Sequence, residues 1–350
     1  MRILVHEFVI GGGLAGRDIP ASLGREGLAM LGALVADLAA IQGVQVVTTV
    51  DSRADLAAPP GIEVVTLEPG GAERLDDLIV SADEIWLVAP ETDRCLERLA
   101  ARVEQHDRRL VGCGAAAIRH ASDKAGLPGR LANLGVPHPM TRVLAPDTDW
   151  LTIAREVGFP LVLKPAQGAG CSGVHLARDA RELRRAVRSA RQVHGSEPLL
   201  LQRFVQGVPA SVSLLADGQR AVALAVNAQF VRASRVFAYL GGETPLDHPL
   251  SGRAVEMALR TCQALPGLRG YVGVDLVLTE SEAVILEVNP RLTTAYLGAR
   301  AALGENVAAL ALAASTGALP PPPPVLRSVR FTAAGRIVST SSHSSVCSRP

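Results

Sequence analysis

The chain has 350 residues, 48% of them hydrophobic and 20% charged, enough apolar material for a sizeable core and too little charge for a disordered chain. Its 35 basic and 34 acidic residues leave a net charge of +1, without the basic surplus by which nucleic-acid binders neutralise phosphates. The longest apolar runs, such as Ala221–Val226 and Val307–Ala314, fall well short of a bilayer span. Five cysteines (Cys95, Cys113, Cys171, Cys262 and Cys347) show no C-x-x-C spacing, which argues for a reducing compartment and against a disulfide frame or structural zinc. The opening Met1–Glu7 reads as a strand and lacks the long apolar stretch of a secretory signal. The expectation is a cytoplasmic protein without nucleic-acid or membrane partners. A homodimer is the assembly to test.

Arg2–Val9 reads as an apolar strand, followed by a glycine loop at Gly11–Gly16 and a helix over Gly24–Ala40 with apolar residues at Leu28, Leu31, Leu34, Val35 and Leu38. Gln45–Thr49, Ile62–Leu67 and Glu84–Ala89 read as further strands. The alternation predicts a parallel α/β domain over residues 1–108. Gly11, Gly13 and Gly16 match G-x-G-x-x-G, but the helix starts late and only Asp51 could close a second strand. A tight turn serving a substrate or a domain interface is therefore preferred to a dinucleotide site. Residues 109–196 hold Ser122-Asp123-Lys124, a helix through Leu134, the turn Gly135–Pro139 and the strand Pro160–Pro165. Residues 197–318 are rich in strands, with helices near 251–265 and 299–315. Residues 319–350 form a last stretch, in which Pro320–Pro324 is a stiff spacer and the polar, aperiodic final twenty residues read as disordered.

Of the 35 basic residues only Lys124 and Lys164 are lysine. In a chain that otherwise uses arginine, two retained lysines point to positions that need a compact ammonium on a slim stem. Lys164 ends an apolar strand, where a charge is costly unless an anion meets it. The loop Ala166–Gly173 follows, then the strand Val174–Ala177. Glycines let the backbone approach a phosphate closely and aim N–H groups at it.

The strongest pattern is Gly270–Leu278, an acidic turn Thr279–Glu282, and Ala283–Arg291, which reads as an antiparallel hairpin. Centred on Ser281, it sets Asp275 opposite Glu287, with Asn289 on the same face and Arg291 one alternation further. Facing carboxylates on apolar strands destabilise a hairpin. A hard divalent cation removes the conflict, since Mg²⁺ takes one or two carboxylates plus phosphate oxygens. Arg291 suits a transferring phosphoryl group. Leu199–Val205 is an apolar strand running into a polar linker, able to meet an adenine edge through its backbone.

In this order the features resemble the ATP-grasp superfamily of ligases over about residues 110–300: Asp123-Lys124 with Leu131, Gly135, Val136 and Pro137, the strand at Lys164, the glycine loop, the hinge, Asp275, and Glu287-x-Asn289-x-Arg291. The resemblance implies a pre-ATP-grasp parallel α/β domain followed by an ATP-grasp domain of two α+β subdomains, the first carrying the glycine loop and the second the metal site. It implies ATP contacts from Lys124, Lys164, Gly168, Gly170, Ser172, Gly173, Gln202, Arg203, Phe204 and Val205. Asp275, Glu287 and Asn289 would hold Mg²⁺ or Mn²⁺, and Arg291 would be catalytic. The γ-phosphate would pass to a substrate carboxylate, and an amine would displace phosphate from the acylphosphate. Two departures stand out: Gln206–Ser211 lacks the carboxylate that many members use to bind ribose, and Gln202 stands where Glu is common.

More narrowly, His6–Gly13, Leu23–Met30 and Tyr239–Pro245 resemble the tyramine–L-glutamate ligase group of methanofuran biosynthesis and its relatives in tetrahydromethanopterin-linked C1 metabolism. That resemblance implies glutamate and an amine such as tyramine or tyrosine as substrates. The alternatives are a ligase for other amino acids or peptides, of the D-alanine–D-alanine ligase type, or a non-catalytic nucleotide-binding regulator. Intact Glu287, Asn289 and Arg291 argue against the regulator.

Overall fold

The computed structural model describes residues 1–339 except Asp147, Ala169 and Ser172. The first sheet is built from β1 (Arg2–Glu7), β2 (Gln45–Asp51), β3 (Glu63–Leu67), β4 (Glu84–Val88) and β5 (Arg109–Leu110). All its pairings are parallel and its order is β3-β2-β1-β4-β5. α1 (Ala21–Ala39), α2 (Ala72–Ser81) and α3 (Cys95–Gln105) supply the crossovers, except that β2 and β3 are joined without a helix. α1 starts earlier than its apolar stripe suggests, directly after Pro20, whose φ of −59° already suits a helix. It buries Gly27, Met30, Leu31, Leu34, Val35 and Leu38, one face at helical spacing.

The next segment holds α4 (Ala115–Ser122), α5 (Leu127–Asn133), β6 (Thr141–Leu144), α6 (Trp150–Val157), β7 (Leu161–Pro165), β8 (His175–Ala177), α7 (Ala180–His194) and β9 (Leu199–Arg203). Its strands form an antiparallel sheet of order β6-β9-β7-β8. A core of its own, including Ala154, Leu161, Leu163, Leu183 and Leu201, holds this sheet and its helices together. Asp179 caps α7 by accepting the Glu182 N–H.

The third sheet has seven strands in the order β14-β13-β10-β11-β12-β15-β16, all antiparallel. Its elements are β10 (Val208–Asp217), β11 (Ala221–Ala233), β12 (Phe237–Thr244), α8 (Ser251–Gln263), β13 (Arg269–Leu278), β14 (Ala283–Asn289), α9 (Ala295–Leu303), α10 (Val307–Ser315), β15 (Val329–Thr332) and β16 (Ile337–Ser339). The first and third sheets share one continuous core, in which Leu4, Val47 and Ile85 join Val212, Leu214 and Val272. α4 and α5 belong to that core through Ile118, Leu127 and Leu131.

The stretch beyond the prolines is not uniformly disordered. β15 pairs with β12, and β16 pairs with β15. Val329 and Phe331 alternate inward at 1% and 2% exposure. Phe331 fits because Gly242 and Gly298 carry no side chain: a Cβ at either would lie within 2.8 Å of its ring. Residues 340–350, with Cys347 and most of the serine run, lie outside the described residues. Among the described residues no helix is long and apolar enough to cross a membrane.

Candidate functional site

The centre of the site is the β13–β14 hairpin. The Thr279 N–H donates to the Glu282 carbonyl (2.9 Å), closing a turn around Glu280 and Ser281 rather than centred on Ser281. Continued regularly, that register would set Asp275 opposite Leu286. It shifts instead between Asp275 and Leu276: Leu276 pairs with Ile285 while Asp275 pairs with Glu287, leaving Leu286 as the extra residue of a bulge. The bulge restores the expected pairing of the carboxylates. The Ile285 N–H beside it donates to the Pro137 carbonyl (2.8 Å) in the turn after α5. Asn289 faces Gly273, where a side chain would run into Thr293.

Both lysines reach this hairpin. Lys124 Nζ donates to Glu287 Oε2 at 2.7 Å and to the Gly168 carbonyl at 2.8 Å. Lys164, buried on β7, has its Nζ 4.0 Å from the same oxygen. Asp275 accepts from Gln229 Nε2 (2.8 Å) and Asn289 Nδ2 (3.0 Å). Burial, then the charge of Glu287, pushes the Asp275 carboxyl up to about 7. Burial works the same way on Glu287, but the two lysines outweigh it and hold that carboxyl down to about 2. Burial lowers the Lys164 ammonium to about 8. Burial opposes the charge on Lys124 as well, yet Glu287 keeps it above its ordinary value.

This donor set fits a hard cation that shares its shell with phosphate. Two largely buried carboxylates face each other across a strand pair, and their repulsion adds to the burial that raises Asp275. Among the described residues no group of three His, Cys, Asp or Glu could hold a metal, so a cation here would draw its other ligands from phosphate oxygens, amide oxygen and water.

The glycine loop joins β7 to β8 as a hairpin. Gly170 and Gly173 have φ of +62° and +70°, the left-handed region that favours glycine. Burial, together with the charges of Glu287 and Asp275, pushes the Cys171 thiol up to about 11. Ser172 lies outside the described residues. At the hinge, Gln202 is buried and donates from Nε2 to Thr141 Oγ1 (2.9 Å). The Arg203 N–H bonds the Met140 carbonyl and the Phe204 N–H the Pro160 carbonyl. Phe204 and Val205 lie in the irregular link between β9 and β10. These four residues thus sit at the junction of the second and third sheets, not at the hairpin itself.

Arg291 departs from the expected strand alternation. β14 ends at Asn289, because Pro290 has no N–H to continue the ladder. The Arg291 guanidinium donates from Nε and Nη2 to Glu91 Oε1 and Oε2, at 2.8 and 2.9 Å. Glu91 follows β4 in the first sheet, and sequence reasoning missed it. Its one visible cue is its place just beyond the carboxyl end of a buried parallel strand, where α/β sheets bind ligands. Gln229, on β11, carries no motif at all. The Gly11–Gly16 loop is a tight turn: the Gly11 N–H returns to the Glu7 carbonyl (2.7 Å), and a side chain at Gly11 would overlap that oxygen.

The pre ATP-grasp 3 domain family matches residues 44–118, and the ATP-grasp domain family matches residues 121–295. The carbamoyl phosphate synthase large chain of Thermus thermophilus is 28% identical over 257 residues, 71% of this chain and 25% of that protein. The tyramine–L-glutamate ligase of Methanocaldococcus fervens is 28% identical over 232 residues, 64% of this chain and 65% of that one. The chain therefore spans between a quarter and just under two-thirds of these curated relatives. Among solved structures, an ATP-grasp superfamily protein from Archaeoglobus fulgidus aligns with a TM-score of 0.69 at 24% identity, covering 94% of this chain and 92% of that one. Biotin carboxylase from Campylobacter jejuni aligns with a TM-score of 0.72 at 17% identity, covering 93% and 74%. With the match over 121–295 taking in half of its 350 residues, the chain belongs to the ATP-grasp family.

Proposed function

We propose that the protein is an ATP-dependent ligase that activates a carboxylate as an acylphosphate and joins it to an amine. The observation that carries this reading is the convergence of the chain's two lysines on Glu287, at 2.7 and 4.0 Å, beside Asp275. A largely buried cluster of two ammoniums and two carboxylates is costly on its own and gains from a polyanion and a cation that complete it. In this reading Lys124 and Lys164 hold phosphate oxygens of ATP, the backbone of Gly168, Gly170 and Gly173 covers them, and Gln202–Val205 lies along the adenine. Asp275, Glu287 and Asn289 hold Mg²⁺ or Mn²⁺, which supplies charge neutralisation at the phosphates. Arg291 steadies the substrate carboxylate and the phosphoryl group it receives.

A carboxylate oxygen attacks the γ-phosphorus and ADP leaves. The amine nitrogen then attacks the acyl carbon, inorganic phosphate leaves, and the nitrogen loses a proton to form the amide. Positioning and electrostatics suffice for both steps, so no Ser or Cys nucleophile is needed. The substrates we propose are glutamate and tyramine or tyrosine, as in methanofuran-type cofactor synthesis. The tyramine–L-glutamate ligase relative supports that choice. The test is a phosphate-release screen with ATP and Mg²⁺ over glutamate paired with tyramine, tyrosine and other amines, with products identified by mass. Absence of both phosphate release and amide product across the panel would refute the ligase; an amide built on another acid would refute the glutamate assignment alone.

A further inference from the structure

Arginine carries five N–H donors in a fixed plane. Arg291 commits three of them: Nε and Nη2 to the two oxygens of Glu91, and Nη1 to the Leu292 carbonyl at 3.2 Å. One N–H on Nη1 and one on Nη2 are left over, able to meet the oxygens of a carboxylate or a phosphoryl group. Both partners are nearly buried, with side-chain exposures of 12% and 4%. The nearest cation on the segment of Glu91, Arg94, is already paired with Glu97. Among the described residues Glu91 has no ion-pair partner but Arg291. The guanidinium lies near enough to Glu287 and Asp275 for both charges to act on it. Glu91 also lines a cleft of about 580 Å³ together with Asp123, Ala125 and Gln167, which flank Lys124 and the root of the glycine loop.

Resting on the ligase reading, we infer that Glu91 is a positioning residue: it grips Arg291 through Nε and Nη2 so that the remaining Nη1 and Nη2 N–H groups face the oxygens of the reacting carboxylate and phosphoryl group. The first sheet thereby contributes to the phosphoryl site through a residue that touches no substrate. A substrate carboxylate on these N–H groups completes the guanidinium without displacing Glu91.

The test uses the full chain and variants Glu91→Gln, Glu91→Asp, Arg291→Gln and the double Glu91→Gln/Arg291→Gln. Two probes are titrated by calorimetry: Mg²⁺–ATP for the ground state, and Mg²⁺–ADP with aluminium fluoride as a mimic of the transferring phosphoryl group. Glu91→Gln should weaken the aluminium fluoride complex by about tenfold or more, the scale of one charge-assisted contact, while changing ATP affinity much less. Arg291→Gln should do the same, the double variant should be no worse than Arg291→Gln, and Glu91→Asp should recover part of the loss. Equal weakening of both probes would mean a structural role only and would overturn the inference. So would additive effects in the double variant, or wild-type affinity in Glu91→Gln. Should Glu91→Gln fail to fold, Glu91→Asp carries the test through the same two-probe comparison. A wild-type protein that binds neither probe removes the ligase reading itself, and Glu91 with it; a failure confined to the variants removes only Glu91.

Discussion

Replacing Glu287 with Gln keeps the side chain's size and removes the charge on which both lysines converge. Lys124 Nζ lies 2.7 Å and Lys164 Nζ 4.0 Å from Glu287 Oε2. With an effective dielectric of about 20, those attractions amount to roughly 6 and 4 kcal/mol before desolvation is counted. Burial of the three charges offsets much of this, and removing one partner from a buried pair typically costs about 3–5 kcal/mol, because the other charges stay behind. A 350-residue chain has an unfolding entropy of about 0.7 kcal/mol/K, so the ligand-free variant should melt about 4–7 °C lower.

Nucleotide reverses that balance. A polyphosphate gives Lys124 and Lys164 a new partner, so ATP in EDTA should restore most of the lost stability and bind the variant at least as tightly as wild type. Magnesium should then add less. One of the two proposed carboxylate ligands is gone, and the factor by which Mg²⁺ tightens ATP should fall by about tenfold or more. Calorimetric titration of ATP with EDTA and with Mg²⁺ reads both quantities on the same protein. An unchanged magnesium enhancement refutes Glu287 as a metal ligand. An unchanged melting temperature without ligand refutes the buried ion cluster.

Gly273→Ala should weaken Mg²⁺–ATP binding while the protein stays folded, because the new Cβ would lie 2.8 Å from Thr293 Cγ2 and 3.7 Å from Asn289 Cβ; overpacking of this kind costs about 1–3 kcal/mol, and wild-type affinity would count against Asn289. Phe331→Ala should destabilise the chain by about 3–5 kcal/mol in urea unfolding, and a loss under about 1 kcal/mol would show that β15 is not integral to the sheet. Burial pushes the Glu7 carboxyl up to about 7, so its contribution to stability is full below pH 4.5 and is lost as pH rises through 7. Burial, then the charge of Arg102, pulls His6 down to about 4, so its contribution is full above pH 6.5 and is lost as pH falls through 4. The two slopes oppose each other, and Glu7→Gln should expose a fall of about 3 kcal/mol between pH 6.5 and 4 that wild type masks; matching profiles for the two proteins would refute these shifts.

The parallel sheet was legible because β1, β2 and β4 are short apolar runs separated by one strongly periodic helix. The carboxylate pair was legible for a different reason: charges on otherwise apolar strands are conspicuous. Its register was anticipated through two offsets that cancel, a turn displaced toward Glu280 and a bulge at Leu286, neither visible in the sequence. β15 and β16 escaped notice because three or four alternating residues after a proline run carry too little period to stand out, and their burial depends on Gly242 and Gly298 far away in the chain. The Arg291–Glu91 pair joins residues 200 positions apart, and no local pattern encodes such a contact.

What separates the site from the rest of the molecule is a conflict between levels. In α1 local pattern and packing agree, and the helix buries its apolar face. At the hairpin, strand propensity places two like charges face to face, and a bulge, which weakens a ladder, is what aligns them. The lysines that relieve the conflict come from elsewhere, one from the segment after α4 and one from β7, whose sheet has its own core. A movement of that sheet against the rest would carry Lys164 and the glycine loop away from Glu287 while Lys124 stays with the large core. The ion cluster spans the two sheets, and on the proposed reading a nucleotide entering between them would exchange partners with Glu287 rather than add charge to a finished network.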